Sequence, residues 1–237
     1  MPQFADVEPH GVLEAIFEDA WYLTGSVVFK PLIRLPRNMV VLRHGDELTL
    51  INSVRLDSEG LKALEALGTV THVMKIGIHG MDDAFYIDRY AAQHWESCRQ
   101  PGNDVPATTK VLNETTELPF PDAQVFEFKE TIRPETAILV EREGGLMITC
   151  DSVQHWEPKP YASTLAKVVT KVMGFQKPAQ IGPPWRKIQT KEGGSLRPDF
   201  ERMAALPFER LIGGHGGLLD GAASSTLQDS IKREFGS

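Results

Sequence analysis

A loop with four glycines around a single histidine, at residues 213–217, follows an apolar run at residues 208–212. The run has the length and composition of a short buried strand, and glycine lets the backbone pass close to a neighbouring side chain. An imidazole at a strand end in such a loop is well placed to bind a metal ion. A metal-binding role for His215 therefore requires a fold that brings the end of this strand to the metal site.

Two further apolar runs also end on possible metal ligands. Residues 71–78 lead to His79 and the carboxylates that follow it, and residues 146–150 lead to Asp151. Imidazole and carboxylate groups are common ligands of zinc, iron and manganese. If the three run ends converge in space, they form a cation site.

The composition limits the class of protein. The chain has 237 residues, of which 41% are hydrophobic and 24% charged, as is ordinary for soluble globular proteins. Its net charge of −7 argues against a general binder of nucleic acid or of anionic membranes, because both need a basic surface. We therefore expect a small-molecule substrate, with no nucleic acid and no membrane as partner, and leave the oligomeric state open.

The cysteines and the amino end indicate a compartment. Cys98 and Cys150 are the two cysteines, so no disulfide framework is implied, although one bridge between them stays open. The first residues lack the basic and apolar regions of a secretion signal, and no apolar stretch approaches the ~20 residues of a membrane helix. We expect a cytoplasmic protein in a reducing compartment, with Cys150 buried as a small hydrophobe.

The apolar patterns predict strands in both halves of the chain, with helices between and after them. Strands are expected at residues 38–42, 47–51, 71–78, 123–128, 136–142, 146–150 and 208–212. Helices are expected at about residues 58–67, 84–93, 165–172, 196–206 and 227–235. Two sheets that face each other with helices outside would bury both faces of each sheet.

We therefore predict an α+β fold in a single domain over residues 1–237. Residues 1–20 are expected to be an N-terminal extension. The segment at 175–195, rich in proline and glycine, is expected to be a lid or an insertion.

Three motifs of the chain resemble the metallo-β-lactamase-fold superfamily over roughly residue 25 to the end. The loop around His215 is similar to the late Gly-His-Gly element of that family, and Thr149-Cys150-Asp151 is similar to its acidic element. Residues 79–84 fall where the family has His-x-His-x-Asp-His. The resemblance implies a four-layer αββα sandwich, with two facing mixed β-sheets and helices outside.

The third motif departs from the family pattern. Met81 and Ala84 stand where the family has histidines, and residues 95–154 contain no histidine that could serve as the family's further ligand. The family implies a pair of metals that share the Asp151-type carboxylate, but fewer ligands survive here. The ligand set that the resemblance implies is His79, Asp83, Asp151 and His215. We expect this set to hold one divalent transition metal, zinc first, with iron or manganese as alternatives.

The function that the resemblance implies is a metal-dependent hydrolase. Its metal-activated water would attack an ester, thioester, lactone or phosphoester, with Asp82 and His155 as the catalytic residues that orient the water or carry its proton. The alternative is a catalytically inactive scaffold of the same fold that acts as a binding or interaction protein, because Met81 and Ala84 remove two imidazoles.

Each candidate residue also has a structural interpretation. His215 could be a polar residue in a glycine turn, and Asp151 could simply end a strand. Asp82 or Asp83 could stabilise the start of a helix near Ala84. His155 could replace a lost ligand, act as an acid or base, or lie on the surface.

Overall fold

Two β-sheets pack face to face, with helices on their outer faces, in a computed structural model of the protein. The structure describes residues 4–30, 33–97, 109–157, 161–172, 174–175 and 177–236. A central core lies between the sheets, and a separate apolar core lies under the helices on each outer face. The prediction of an αββα sandwich is therefore confirmed.

The first sheet has seven strands, which follow one another in chain order. Strands β1 to β7 are Glu14–Phe17, Ala20–Lys30, Ile33–His44, Glu47–Ile51, Thr69–Lys75, Gln93–Glu96 and Lys110–Val111. The first four pair antiparallel, and β4 to β7 pair parallel. The sheet thus incorporates part of the expected N-terminal extension as its edge strand β1.

The second sheet has five strands in the order β14-β13-β10-β9-β8, and β11 and β12 form a separate pair. Strands β8 to β14 are Ala123–Glu127, Thr136–Val140, Leu146–Ile148, Val153–Gln154, Gln180–Ile181, Arg210–Ile212 and Leu218–Asp220. Only β10 and β13 pair parallel in this sheet. Their carboxyl ends therefore lie at the same edge.

The alternation of side chains along β3 explains how one sheet serves two cores. Val40 and Leu42 face the second sheet, whereas Met39 and Val41 face the helices on the outer side. Successive residues of a strand point to opposite faces of its sheet. A shift of one residue would therefore exchange the two sets.

Six α-helices lie in the described part of the chain. Helices α1 to α6 are Ser58–Glu65, Asp83–Tyr90, Thr164–Val172, Pro183–Gln189, Arg197–Ala204 and Ala223–Phe235. The predicted cap of α1 is present, because Asp57 Oδ1 accepts the Gly60 N–H at 2.8 Å. None of these helices combines the length and the apolarity that crossing a bilayer requires.

The segment at 175–195 contains regular structure. It forms β12 and α4, and Trp185 of α4 is buried against Phe128 and Phe200 at ring-centroid distances of 5.3 and 5.9 Å. Trp185 is therefore part of the apolar core under the helices. Cys150 is fully buried, as predicted, and Cys98 lies outside the described residues.

Candidate metal centre

The topology brings two of the predicted ligands together directly. Ile148 of β10 lies opposite Ile212 of the parallel strand β13. Asp151 and His215 each come three residues after the end of their strand. Equal offsets from two neighbouring parallel strands place both side chains at one edge of the sheet.

The third ligand comes from the facing sheet. His79 lies in the loop after β5, and this loop is tied to the second sheet because the Thr136 N–H donates to the Ile76 carbonyl at 3.0 Å. The loop therefore carries His79 across the gap between the two sheets to the ends of β10 and β13.

His79, Asp151 and His215 form a compact cluster. Nε2 of His215 lies 3.2 Å from Asp151 Oδ1, and Nε2 of His79 lies 3.5 Å from the same oxygen. The two imidazole rings are 4.7 Å apart between centroids and cross at 76°. Within the described ranges, this is the only group of three or more His, Cys, Asp or Glu residues arranged to hold a metal ion.

The tautomer of His215 follows from its second contact. Its Nδ1 lies 2.5 Å from the Pro36 carbonyl oxygen, which can only accept a hydrogen bond, so Nδ1 carries the proton. In the neutral ring, Nε2 then directs a lone pair toward the carboxylate of Asp151. Nε2 of His215 and Oδ1 of Asp151 are both electron-rich, so they lie this close together only when a proton or a cation is between them.

The glycine loop is held in place by β3. Asn38 donates from its side-chain amide to the carbonyls of Gly213 and Gly216 at 2.9 and 3.2 Å, and its backbone N–H donates to the Gly214 carbonyl at 2.9 Å. A Cβ at Gly214 would lie 2.9 Å from Cε1 of His79. Glycine at 214 is therefore needed for His79 and His215 to approach each other.

The charges of the cluster are strongly coupled. Burial alone would raise the pKa of Asp151. The charges of the His79 and His215 imidazoles have the larger effect, so the pKa of Asp151 lies well below its usual range. Burial would lower the pKa of His215, but the hydrogen bond and the charge of Asp151 outweigh it and raise this pKa. For His79, burial dominates and lowers the pKa to about 4. These shifts favour the protonated imidazole for His215 and the neutral imidazole for His79.

Asp82 was expected to be catalytic, and the structure places it in a buried ion pair. Its carboxylate is bound by the Arg37 guanidinium and accepts the Arg55 backbone N–H at 2.7 Å. Both side chains are at most 6% exposed. Both contacts are made to Oδ2 of Asp82 and tie the loop that carries His79 to β3. Asp82 is not among the residues that converge on the cluster.

Asp83 was expected to be a fourth ligand, and its carboxylate lies in a different cluster. Ser53 Oγ donates to Asp83 Oδ1 at 2.5 Å, and His94 Nε2 lies 3.6 Å from Oδ2. His94 in turn contacts Thr109 Oγ1 at 3.0 Å. His94 pairs with Val73 of β5, which faces the helices, so this cluster lies on the outer face of the sheet.

His155 was expected to be catalytic, and its ring lies outside the three-residue cluster. Its Nε2 is 3.3 Å from Glu157 Oε1, and its carbonyl accepts the Gly217 N–H at 2.7 Å. The next residue, Trp156, packs on His215 instead, with ring centroids 5.8 Å apart. His155 therefore supports the glycine loop through its backbone.

Several residues of the site were not predicted from the sequence. Gln154 Nε2 donates to Asp151 Oδ1 at 3.0 Å and orients this carboxylate. Pro36 and Asn38 of β3 fix His215 and its loop. Asn38 directly before the apolar run at residues 39–42 was the available signal, because a buried amide needs polar partners.

Solved structures resemble the chain over nearly its whole length. The metallo-β-lactamase DIM-1, in a crystal exposed to ceftazidime, has 10% sequence identity and a TM-score of 0.64, and the match covers 97% of this chain and 99% of that one. The metallo-β-lactamase FIM-1 from Pseudomonas aeruginosa, in its mono-zinc form, has 12% identity and a TM-score of 0.64, with 96% of each chain covered.

A metallo-β-lactamase from Erythrobacter litoralis has 13% identity and a TM-score of 0.59, with 96% of each chain covered. No protein-family model matches the chain, and no curated protein matches it. The sheet order, the facing sheets and these full-length structural matches agree with the resemblance read from the motifs. The chain has the fold of the metallo-β-lactamase superfamily.

Proposed function

We propose that this chain is a hydrolase that binds a single divalent metal ion through His79, Asp151 and His215. The observation that carries the proposal is the convergence of three ligand groups, because one ligand atom from each of His79, Asp151 and His215 lies within 4.8 Å of the other two. Nε2 of both histidines faces Oδ1 of Asp151, so a cation could replace the proton that His215 shares with this carboxylate.

The donor set fits such an ion. Two imidazoles and one carboxylate match the three protein ligands of catalytic zinc sites, which leave one position for water or substrate. The same set also suits iron or manganese. FIM-1 in its mono-zinc form shows that a protein of this fold holds a single zinc ion.

A bound ion of this kind would activate water for attack on an ester, thioester, lactone or phosphoester and would stabilise the negative charge that develops. The residues of the chain fix the geometry around it. Gln154 and the two imidazoles hold Asp151, Pro36 fixes the tautomer of His215, and Trp156 covers one face of the His215 ring. We propose a small molecule as the substrate.

A binding scaffold without catalysis is the second candidate, and the position of Asp83 favours it. The carboxylate that corresponds to a family ligand is engaged by Ser53, and Asp82 is engaged by Arg37. Neither carboxylate belongs to the cluster of His79, Asp151 and His215.

Metal reconstitution separates the two candidates. The protein would be stripped with a chelator, reloaded separately with zinc, ferrous iron and manganese, and assayed for bound metal and for hydrolysis of esters, thioesters, lactones and phosphodiesters. A hydrolase should retain about one ion per chain and lose activity on renewed chelation. Bound metal without turnover of any substrate class would favour the scaffold, and failure to retain any of the three metals would overturn the metal site.

We also expect the metal affinity to fall as the pH falls. The ion must displace the proton on His215, whose pKa is raised by Asp151, whereas His79, with a pKa of about 4, is already neutral. Below the pKa of His215, the affinity should drop about tenfold per pH unit, with about one proton released per ion bound. Competition with a fluorescent chelator at several pH values measures this slope, and an affinity independent of pH across the range where histidine titrates would contradict it.

A further inference from the structure

Helix α3 turns a row of aliphatic side chains toward solvent. Leu165, Val168 and Val172 are 44%, 54% and 82% exposed, and residues spaced by three and four positions lie on one face of a helix. The opposite face buries Ala166 and Thr170. An amphipathic surface helix normally places its aliphatic row inward, so the outward row of α3 is unusual.

The end of β2 adds two exposed apolar residues near the start of α3. Val28 and Phe29 are 49% and 64% exposed, and Val28 pairs with Arg34. Arg34 exchanges two hydrogen bonds with Ser163, just before α3, at 3.0 and 3.3 Å. The end of β2 and the start of α3 are therefore neighbours.

The sequence segment that contains the row is basic. Residues 161–191 contain six Lys or Arg and no Asp or Glu, although the whole chain has 32 acidic and 25 basic residues; two of the six, Arg186 and Lys191, pair with Glu234 and Glu130. Lys167 and Lys171 of α3 are exposed, and at 100° per residue Lys171 lies about 60° and Lys167 about 100° from Val168 around the helix. Glu8, near the hairpin, pairs with Arg34 at 3.1 Å.

We propose that this surface docks the protein onto an anionic lipid bilayer. We call it the α3 patch, and it consists of Val28, Phe29, Leu165, Lys167, Val168, Lys171 and Val172. Its aliphatic side chains would enter the boundary between headgroups and acyl chains, while its lysines contact anionic headgroups. Outward apolar residues with lysines on the same helix are the pattern of helices that lie in a membrane interface.

Charge complementarity selects the bilayer over a second copy of the chain. In a symmetric dimer through this patch, Lys167 and Lys171 would face their own symmetry mates or lie close to them, and like charges across an interface are unfavourable. The net charge of −7 was the reason to expect no membrane partner. Local charge decides docking, however, because only charges within a Debye length of the membrane act on it strongly, so the proposal replaces that expectation.

The patch adjoins the metal centre without depending on it. Phe175 follows α3 and packs on Trp156 at 5.4 Å between ring centroids, and Trp156 packs on His215 at 5.8 Å. Membrane binding does not require a metal, so it can be tested separately from hydrolysis.

Vesicle sedimentation of the full chain tests the proposal. Phosphatidylcholine vesicles would be compared with vesicles that also contain phosphatidylglycerol, and we expect binding at least roughly tenfold tighter to the anionic vesicles. The double variant Val168→Asp, Val172→Asp should lose this binding. The double variant Lys167→Glu, Lys171→Glu should lose the preference for anionic vesicles, and added salt should weaken binding of the wild type.

Val111→Asp is the matched control, because Val111 is 45% exposed but lies on β7 at the far edge of the first sheet. It should bind vesicles as the wild type does. Circular dichroism and thermal melting would verify that every variant is folded. Absence of wild-type binding to both vesicle types, or equal binding by the Val168/Val172 double variant, would overturn the proposal. A wild-type dimer in analytical ultracentrifugation that the same double variant dissociates would assign the patch to self-association and would overturn it as well.

Discussion

Replacing Asp151 with asparagine is expected to abolish stable metal binding while the fold is retained. Oδ1 of Asp151 is the atom that both imidazoles face, and a neutral amide removes the negative charge that holds the cation. Changes to residues that only orient a ligand lower metal affinity by 10–100-fold, so loss of the ligand itself should lower it by more than about 100-fold. Metal content after gel filtration and competition with a chelator would measure this loss.

Asp220→Asn is a suitable control for this substitution. Asp220 also ends a strand of the second sheet, but its side chain is 66% exposed and pairs with Arg210 at 2.8 Å. The control should keep wild-type metal content and activity. Retention of metal by Asp151→Asn with wild-type affinity would rule out Asp151 as a ligand and, with it, the proposed centre.

Replacing Arg37 with alanine is expected to lower the unfolding free energy more than replacing any other charged side chain described above. The guanidinium and the Asp82 carboxylate are 6% and 4% exposed, so removal of Arg37 leaves a buried carboxylate with only the Arg55 backbone N–H. Breaking a buried ion pair in this way costs about 3–5 kcal/mol of unfolding free energy. For a chain of this size, the melting temperature should fall by roughly 6–20 °C.

Arg34→Ala is the matched control on the same strand. Arg34 pairs with Glu8 at 3.1 Å, and these side chains are 41% and 36% exposed. Exposed ion pairs contribute about 0–1 kcal/mol, so the melting temperature should change little. Equal effects of Arg37→Ala and Arg34→Ala in calorimetry would contradict the anchoring role assigned to the Arg37–Asp82 pair.

The positions of Asp151 and His215 could be predicted from sequence because each follows a short apolar run closely. Strands of that kind end at a sheet edge, and a polar residue just beyond the end has little freedom in where it can lie. His79 could be placed by the same logic. The facing sheets followed from the resemblance, and the observed sheet order agrees with it.

The remaining roles depend on which face of an element a side chain occupies, and sequence spacing does not fix this at a helix start. Asp82 and Asp83 are adjacent, yet one binds Arg37 on β3 and the other meets Ser53 and His94. His155 and Trp156 are also adjacent, yet the His155 ring lies near Glu157 and the Trp156 ring packs on His215. Partners such as Arg37 and Asp82 are 45 residues apart in sequence, so no local pattern signals their contact.

The engagement of Asp83 by Ser53 and His94 has a consequence for redesign. Histidines placed at positions 81 and 84 would complete the family motif in sequence, but Oδ1 of Asp83 would still accept the Ser53 hydroxyl at 2.5 Å, and Oδ2 would still lie 3.6 Å from His94. A design that aims at a dinuclear centre should therefore alter positions 53 and 94 together with positions 81 and 84.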